Sequence, residues 1–266
     1  MGVTTSSRAS IGLVALTAAL VAAAVFVTLG PGVGASVAPH RAASTTTIVP
    51  TAVATTTTVA PTTSVAPTTT TAPAVPTADD STMRPGDRSP EVAALQARLI
   101  ELGFWLGDGD GGYGRLTEQA VLAFQKANEL HRDGTAGPAT LAALATASRP
   151  VPSAAVDGIE IDLTRQILTI VQGGQALWTI NTSTGKASTR TPTGDFVVQR
   201  EIDGIRDAPL GRLYRPKYFN GGIAIHGSPS IPGYPASHGC TRVSNQAMDF
   251  LWTSGLLEVG TPVRVH

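Results

Sequence analysis

Apolar residues along this chain follow two different periods. Between about residue 89 and residue 146 they recur at helical spacing. Ser89-Pro90 reads as a helix start, with a hydroxyl N-cap and proline at the first helical position. Val92, Leu95, Leu99 and Leu102 then line one face, and Gly103 ends the helix. A second helix is expected to start near Thr117, with Ala120, Val121 and Phe124 turned inward. A third starts near Pro138, with Leu141 and Leu144 inward. The stretch also repeats itself: Asp110-Gly111-x-Tyr113-Gly114-x-x-Thr117 returns as Asp133-Gly134-x-Ala136-Gly137-x-x-Thr140. Each copy is a turn followed by a capped helix, so two related halves are expected to fold together. Residues 81–148 are therefore read as a small three-helix bundle. Asp108 and Asp110 are read as turn formers, since no EF-hand spacing follows them.

From residue 156 to residue 266 the period shortens to two. Ile159-Glu160-Ile161-Asp162-Leu163 alternates, and Gln166 to Val171 follows across Thr164-Arg165 as in a hairpin. Gly173-Gly174 marks the next turn. Ala176–Thr182, Gly194–Gln199, Gly222–His226 and Thr261–His266 read as further strands. One helix is expected at Asn245–Trp252, capped by Ser244, with Met248, Leu251 and Trp252 inward. The fold class this implies is α+β multidomain: a small three-helix bundle module followed by a mostly β domain, sandwich- or barrel-like. Residues 149–155, with two prolines, connect the modules.

The first 80 residues carry neither pattern. Residues 1–41 read as a signal peptide or N-terminal membrane anchor: Arg8 precedes an uncharged run from Ile11 to Leu29. That run of 19 residues lies between a signal-peptide core and a full membrane span. Small residues at Gly34, Ala35 and Ser36 allow cleavage, and Arg8 favours an N-inside orientation. Residues 42–80 read as a disordered Thr/Ala/Pro linker. Up to Ala78 it holds only Thr, Ala, Val, Pro, Ser and one Ile, too little to offset chain entropy by burial. Repeated Pro with β-branched Thr and Val favours an extended spacer. The rest of the chain is thus expected to act outside the cytoplasm, anchored to the membrane or secreted into a wall or periplasm.

Composition narrows the chemistry. Charged residues make up 14% of the chain and the formal net charge is zero, which gives no electrostatic case for nucleic acid. One cysteine excludes an internal disulfide and a four-cysteine zinc site. That cysteine, Cys240, stands in Ser237-His238-Gly239-Cys240-Thr241-Arg242. A short apolar run, Ile223–Ile225, delivers His226 to a Gly-, Pro- and Ser-rich loop, Gly227 to Pro235, upstream of it. A lone cysteine is often only a small buried hydrophobe. Here it follows His-Gly on a loop, in a chain read as exported, where an unpaired thiol is a liability. A thiol among imidazoles is how a nucleophilic site is built. His40, His131 and His266 match no pattern and are read as surface residues. Tyr214, Tyr218 and Phe219 precede the strand into the site and are candidates for a cleft wall or for core.

His226-Gly227 followed by Ser237-His238-Gly239-Cys240-Thr241-Arg242 resembles the signature of the L,D-transpeptidase (YkuD-type) catalytic family. The resemblance reaches back to about Val156, through Thr191-Pro192-Thr193-Gly194-Asp195-Phe196, and on to the C-terminus. It implies Cys240 as nucleophile and His226 as the residue that takes up and returns the proton. It further implies the Gly227 carbonyl as orienter of His226, and a supporting role for His238. The Gly239 and Cys240 N–H groups are the natural oxyanion donors, and Ser237, Arg242 and Tyr218 are candidate substrate-binding residues. Asn245 reads as the helix start. No metal and no cofactor are expected. The reaction implied is transfer of a peptidoglycan tetrapeptide stem to Cys240 with loss of D-alanine, then to a neighbouring amine in a 3→3 cross-link. Trapping of the thiol by carbapenems is implied as well.

The helical stretch resembles the three-helix peptidoglycan-binding domain. Val92-x-x-Leu95-Gln96-x-x-Leu99, Leu102-Gly103, Asp110-Gly111-x-Tyr113-Gly114, Thr117, Ala120-Val121, Phe124-Gln125 and Asp133-Gly134-x-x-Gly137-x-x-Thr140 carry that resemblance. The partners implied are stem peptides, wall glycan and, through the N-terminal segment, a membrane. Three alternatives stay open at this level. One is an L,D-carboxypeptidase with water as acceptor. The others are a zinc-dependent wall hydrolase with His226, His238 and Cys240 as ligands, and a non-catalytic wall-binding adaptor.

Overall fold

The structure is a computed structural model and describes residues 82–266. The expected N-terminal targeting segment and the linker lie outside the described residues. Among the described residues no helix is long and apolar enough to cross a membrane.

The helical module contains α1 (Pro90–Glu101), α2 (Arg115–Ala127) and α3 (Pro138–Thr146). Ser89 caps α1, its hydroxyl accepting from the Val92 N–H at 3.3 Å. The expected inward residues form one core in which Phe104 and Phe124 meet edge to face at 5.4 Å between centroids. α2 begins at Arg115, two residues before Thr117, because Gly114 takes the extended N-cap conformation. The Thr117 hydroxyl serves the preceding turn instead.

The sequence echo has a physical basis that starts earlier than the repeated turn. The buried Gln96 amide lies within 3.0 Å of Asp110 Oδ1, the Gly112 carbonyl and Thr117 Oγ1, while its oxygen accepts from the Gly111 N–H. Gln125 makes the same four contacts to Asp133, Thr135, Thr140 and Gly134. Gly111 and Gly134 both sit at φ near +70°, a conformation that favours glycine. Each half is therefore a glutamine on one helix holding the turn that starts the next.

The second domain has two sheets. The first runs β3 (Gln175–Asn181), β2 (Ile167–Gln172), β1 (Gly158–Asp162), β10 (Pro262–Val265), β4 (Gly194–Val197), with β1 and β10 parallel. The second runs β5 (Arg200–Glu201), β7 (Gly211–Asn220), β8 (Ile223–Ser228), β9 (Thr241–Ser244), with β6 (Ile205–Ala208) also paired to β7. Ile159, Ile161, Leu168 and Ile170 of the first sheet share one core with Phe219, Ile225 and Val243 of the second. α4 (Asn245–Thr253) closes that core with Ala247, Met248 and Leu251, so the arrangement is a sandwich with one helix. The Ser244 hydroxyl caps α4 from the Ala247 N–H at 3.0 Å.

The longest strand, β7, is one the alternation pattern does not reveal. It carries Pro216 and three basic residues, and its register to β8 shifts between Tyr214 and Lys217 and again between Tyr218 and Asn220. Arg215 sits at φ +48°. Such bulges break the period of two on which strand recognition rests. Lys217 is fully buried, yet paired to Glu201 at 2.7 Å and placed over the Trp252 ring. Two other corrections are small: Gly227 and Ser228 extend β8 rather than belonging to the loop, and Thr241 begins β9.

The helical module packs against the sandwich. Trp105 stacks on Phe250 at 5.1 Å, the Thr179 N–H donates to the Gly103 carbonyl at 2.7 Å, and Arg149 bridges the carbonyls of Glu101 and Leu177.

Candidate functional site

β8 and β9 are parallel, so the chain between them must cross over rather than turn back. Residues 229–240 make that crossover, and the candidate chemistry lies at its two ends. The register pairs Ile225 with Thr241 and His226 with Arg242. Ile225 and Val243 point into the sandwich core. Ala224 and His226, on the other face, share it with Arg242 and with Cys240, which packs against the cluster of Leu213, Tyr218 and Ala224. Strand spacing and rise place the Cα atoms of His226 and Cys240 about 8 Å apart on one face.

His226 is buried, with 5% of its surface exposed. Its Nδ1 lies 2.8 Å from the Gly227 carbonyl oxygen. That acceptor keeps the proton on Nδ1 and leaves Nε2 with its lone pair. Burial, with a smaller contribution from the Arg242 cation, lowers its pKa to about 4, so the ring is neutral at pH 7. Gly227 has to be glycine: a Cβ there would stand 2.7 Å from the Tyr214 ring and 2.8 Å from Asn245 Oδ1. Asn245, the first residue of α4, thus packs against the carbonyl's own residue, and its Oδ1 is buried without a hydrogen-bond partner.

The Cys240 thiol is half-buried, with Sγ 3.9 Å from the Gly222 carbonyl oxygen. Burial pushes its pKa up, and the Ala224 N–H and the Arg242 cation pull the other way. Thiol and imidazole are therefore each neutral at rest. Arg242 is half-buried, and among the described residues its guanidinium has no hydrogen-bond or ion-pair partner. Its backbone pairs with Ser183 in both directions, at 3.0 and 3.1 Å.

The loop before the thiol is held by hydroxyls. Ser237 is buried; its Oγ accepts from the Gly239 N–H at 3.0 Å and donates to the Cys240 carbonyl at 2.5 Å. Both expectations placed on this pair change accordingly. Ser237 is spent on the loop rather than open to substrate, and the Gly239 N–H is already donated to it. His238 points outward and is exposed. Tyr218 pairs with Ala224 across β7 and β8 and so lies in the row of the thiol, but only 4% of it is exposed. The Arg200 guanidinium covers its ring at 3.4 Å, so Tyr218 is a wall. His131 and His266 are exposed, as expected, and His40 lies outside the described residues. Among the described residues no three His, Cys, Asp or Glu side chains converge as metal ligands, so His226, His238 and Cys240 do not form the zinc set considered from sequence.

Sequence reasoning missed the segment from Thr182 to Thr191. Thr191 Oγ1 donates to the Gly239 carbonyl at 2.7 Å and accepts from the Gly185 N–H at 3.0 Å. The Thr184 carbonyl accepts from the Ala236 and Ser237 N–H groups, and Thr182 Oγ1 donates to the Arg242 carbonyl. Thr189 Oγ1 donates to the Ser237 carbonyl at 3.1 Å. A Cβ on Gly185 would stand 2.1 Å from the Thr189 carbonyl oxygen, so this fold-back needs glycine. The available signal was the cluster Thr182-Ser183-Thr184-Gly185 ahead of Thr191-Pro192-Thr193-Gly194.

Residues 157–265 match the YkuD L,D-transpeptidase catalytic domain, and residues 88–144 match a peptidoglycan binding domain. The crystal structure of an L,D-transpeptidase from Xylanimonas cellulosilytica is similar to 73% of this chain and to all of that one, at 46% identity and a TM-score of 0.66. A crystal structure of an L,D-transpeptidase from Stackebrandtia nassauensis aligns over 73% of this chain and 97% of that one, at 25% identity and a TM-score of 0.44. The N-acetylmuramoyl-L-alanine amidase CwlM of Mycobacterium tuberculosis is 46% identical over 54 residues, which is 20% of this chain and 13% of that protein. The chain belongs to the L,D-transpeptidase family, with a peptidoglycan-binding module ahead of its catalytic domain.

Proposed function

We propose that this protein is an exported, cysteine-dependent peptidoglycan L,D-transpeptidase that joins stem peptides in 3→3 cross-links. One observation supports the reading: His226 on β8 and Cys240, the residue before the parallel β9, lie on one face, with the imidazole held in the Nδ1–H form by the Gly227 carbonyl.

In the first step His226 Nε2 takes the thiol proton as Sγ bonds to the carbonyl carbon of the third stem residue. The tetrahedral oxyanion breaks its bond to the terminal D-alanine nitrogen, and His226 gives that nitrogen the proton. D-Alanine leaves and a thioester remains. A side-chain amine of a second stem then attacks, His226 accepts its proton, and Cys240 departs and recovers a proton as the thiol. Because both groups rest neutral, charge develops only during attack, where the Cys240 N–H and the Arg242 cation stabilise it. Gly239, whose N–H is held by Ser237, shapes the loop rather than donating to the oxyanion. The Arg242 guanidinium, without a partner among the described residues, suits a stem carboxylate, while Tyr218 walls the thiol and His238 faces the approaching substrate from outside. Residues 1–41 carry the chain across the membrane as signal or anchor, residues 42–80 span the gap to the wall, and the helical module holds glycan.

The test is incubation of the protein with a disaccharide-tetrapeptide, read by mass. A 3→3 dimer with equimolar D-alanine, absent from Cys240→Ala, is expected. D-Alanine with tripeptide alone would identify a carboxypeptidase, and unchanged activity in Cys240→Ala would remove the sulfur from the mechanism.

A further inference from the structure

Lys126 is the last but one residue of α2, in the helical module, yet its ammonium group lies wholly inside the sandwich domain. It is 0% exposed and donates to three oxygens there: Asn181 Oδ1 at 2.5 Å, the Thr182 carbonyl at 2.8 Å and the Gln166 carbonyl at 3.1 Å. All three of its donors are used and none meets a carboxylate. Burial, with the Arg132 cation adding to it, lowers the pKa of this amine to about 7, so holding it here as an ammonium is costly, and packing alone is better served by an apolar side chain of the same length.

What the three acceptors do next gives the lysine a role. Gln166, held at φ +61°, grips Thr184 from both sides, its Oε1 accepting from the Thr184 N–H at 2.8 Å and its Nε2 donating to Thr184 Oγ1 at 2.6 Å. The Thr184 carbonyl then takes the Ala236 and Ser237 N–H groups, and the Ser237 hydroxyl bridges Gly239 and Cys240. Thr182 fastens the Arg242 carbonyl. The Asn181 amide nitrogen donates to Gln119 of α2 at 2.7 Å and to the carbonyl of Ile231, inside the crossover, at 3.3 Å. Elsewhere on the module Arg115 donates to the Pro229 carbonyl, and the Gly233 backbone lies close against Arg132, where a Cβ would stand 3.1 Å from the Arg132 carbonyl oxygen. α2 and the segment after it therefore brace the first part of the crossover, residues 229–233, and Lys126 is the point where three routes to the thiol loop meet.

We infer that Lys126 is a positioning residue for the nucleophile loop, so that the peptidoglycan-binding module is part of the catalytic apparatus and not only a holdfast. The inference rests on the reading of Cys240 as the acylated residue. The experiment uses the full chain, a tetrapeptide donor and intact mass to follow acylation of Cys240. Lys126→Met is compared with Leu144→Ala, a core change in the same module remote from the path. With temperature chosen so that both variants are equally folded, Lys126→Met should lose about tenfold or more in the limiting acylation rate with donor KM changed by less than about threefold. Leu144→Ala should stay within about twofold of wild type. Equal losses in the two variants, or a Lys126→Met rate within about twofold of wild type, overturn the inference. If Lys126→Met does not fold, Gln166→Met cuts the same route one bond further on and is read by the same criteria. A wild-type chain that takes no acyl group at Cys240 strikes down the functional reading and this inference with it. A wild type that is acylated beside a Lys126 variant that keeps its rate overturns the inference alone.

Discussion

The duplicated turns of the helical module and the thiol loop of the sandwich are both irregular segments held in one shape by buried polar side chains. They differ in where the holding groups come from. Gln96 and Gln125 reach their turns over 14 and 8 residues, within one small core. The thiol loop is held by Thr191 and Thr189 from 48 residues away, and by Thr182 from 60 residues away. Local bracing makes a module that is ordered on its own terms. Distant bracing makes a loop whose geometry reports on the state of the whole domain.

Several substitutions separate these two designs. Cys240→Ala stands at the extreme: it should abolish acyl transfer, on the order of a thousandfold or more in a product assay, and leave the melting temperature nearly unchanged. Thr191→Val, close to isosteric, strips the Gly239 carbonyl and the Gly185 N–H of a partner together. It should lower the acylation rate by tens of fold, with a stability loss of about 1–3 kcal/mol by denaturant titration. Gln125→Leu should show the opposite balance, losing about 2–3 kcal/mol of stability while the folded protein acylates within about twofold of wild type. If Gln125→Leu instead lost activity in proportion to Thr191→Val, the contrast between local and distant bracing would collapse.

The histidine supplies a pH test of the same site. His226 has its pKa lowered to about 4 in the folded protein, against an ordinary value of 6.5. Its stabilising contribution is whole above pH 6.5 and is lost as the pH falls toward 4, because the unfolded chain takes up the proton first. The loss is expected to reach roughly 3 kcal/mol, and His226→Gln should flatten that part of the stability curve. The thiol, pushed above its ordinary pKa by burial, should react with iodoacetamide more slowly at pH 7 than a free cysteine does.

How much of this was legible from residues alone follows the same divide. The Ser89 and Ser244 caps, the turn at Gly173-Gly174, the repeated Asp-Gly turns and the helix at Asn245 were readable because their causes lie within a few positions. The thiol and its histidine were readable as a motif. β7 escaped because its bulges hide the alternation, and the Thr182–Thr191 brace escaped because a threonine hydroxyl bonded across the fold looks like any surface threonine. Ser237 and Gly239 read as substrate and oxyanion groups for the same reason: the 3.0 Å bond from the Gly239 N–H to the Ser237 hydroxyl is invisible in a string of letters. The sequence pattern singles out nothing at Lys126, since nothing in the module's own period anticipates a second domain closing over it.

The most direct measurement is the mass of the intact protein quenched during turnover with a tetrapeptide donor, followed by mapping of the modified peptide. The account predicts a transient acyl adduct equal to the donor less D-alanine, carried on Cys240, discharged by an amine acceptor and missing from Cys240→Ala. Turnover with no adduct, or an adduct on any other residue, contradicts it.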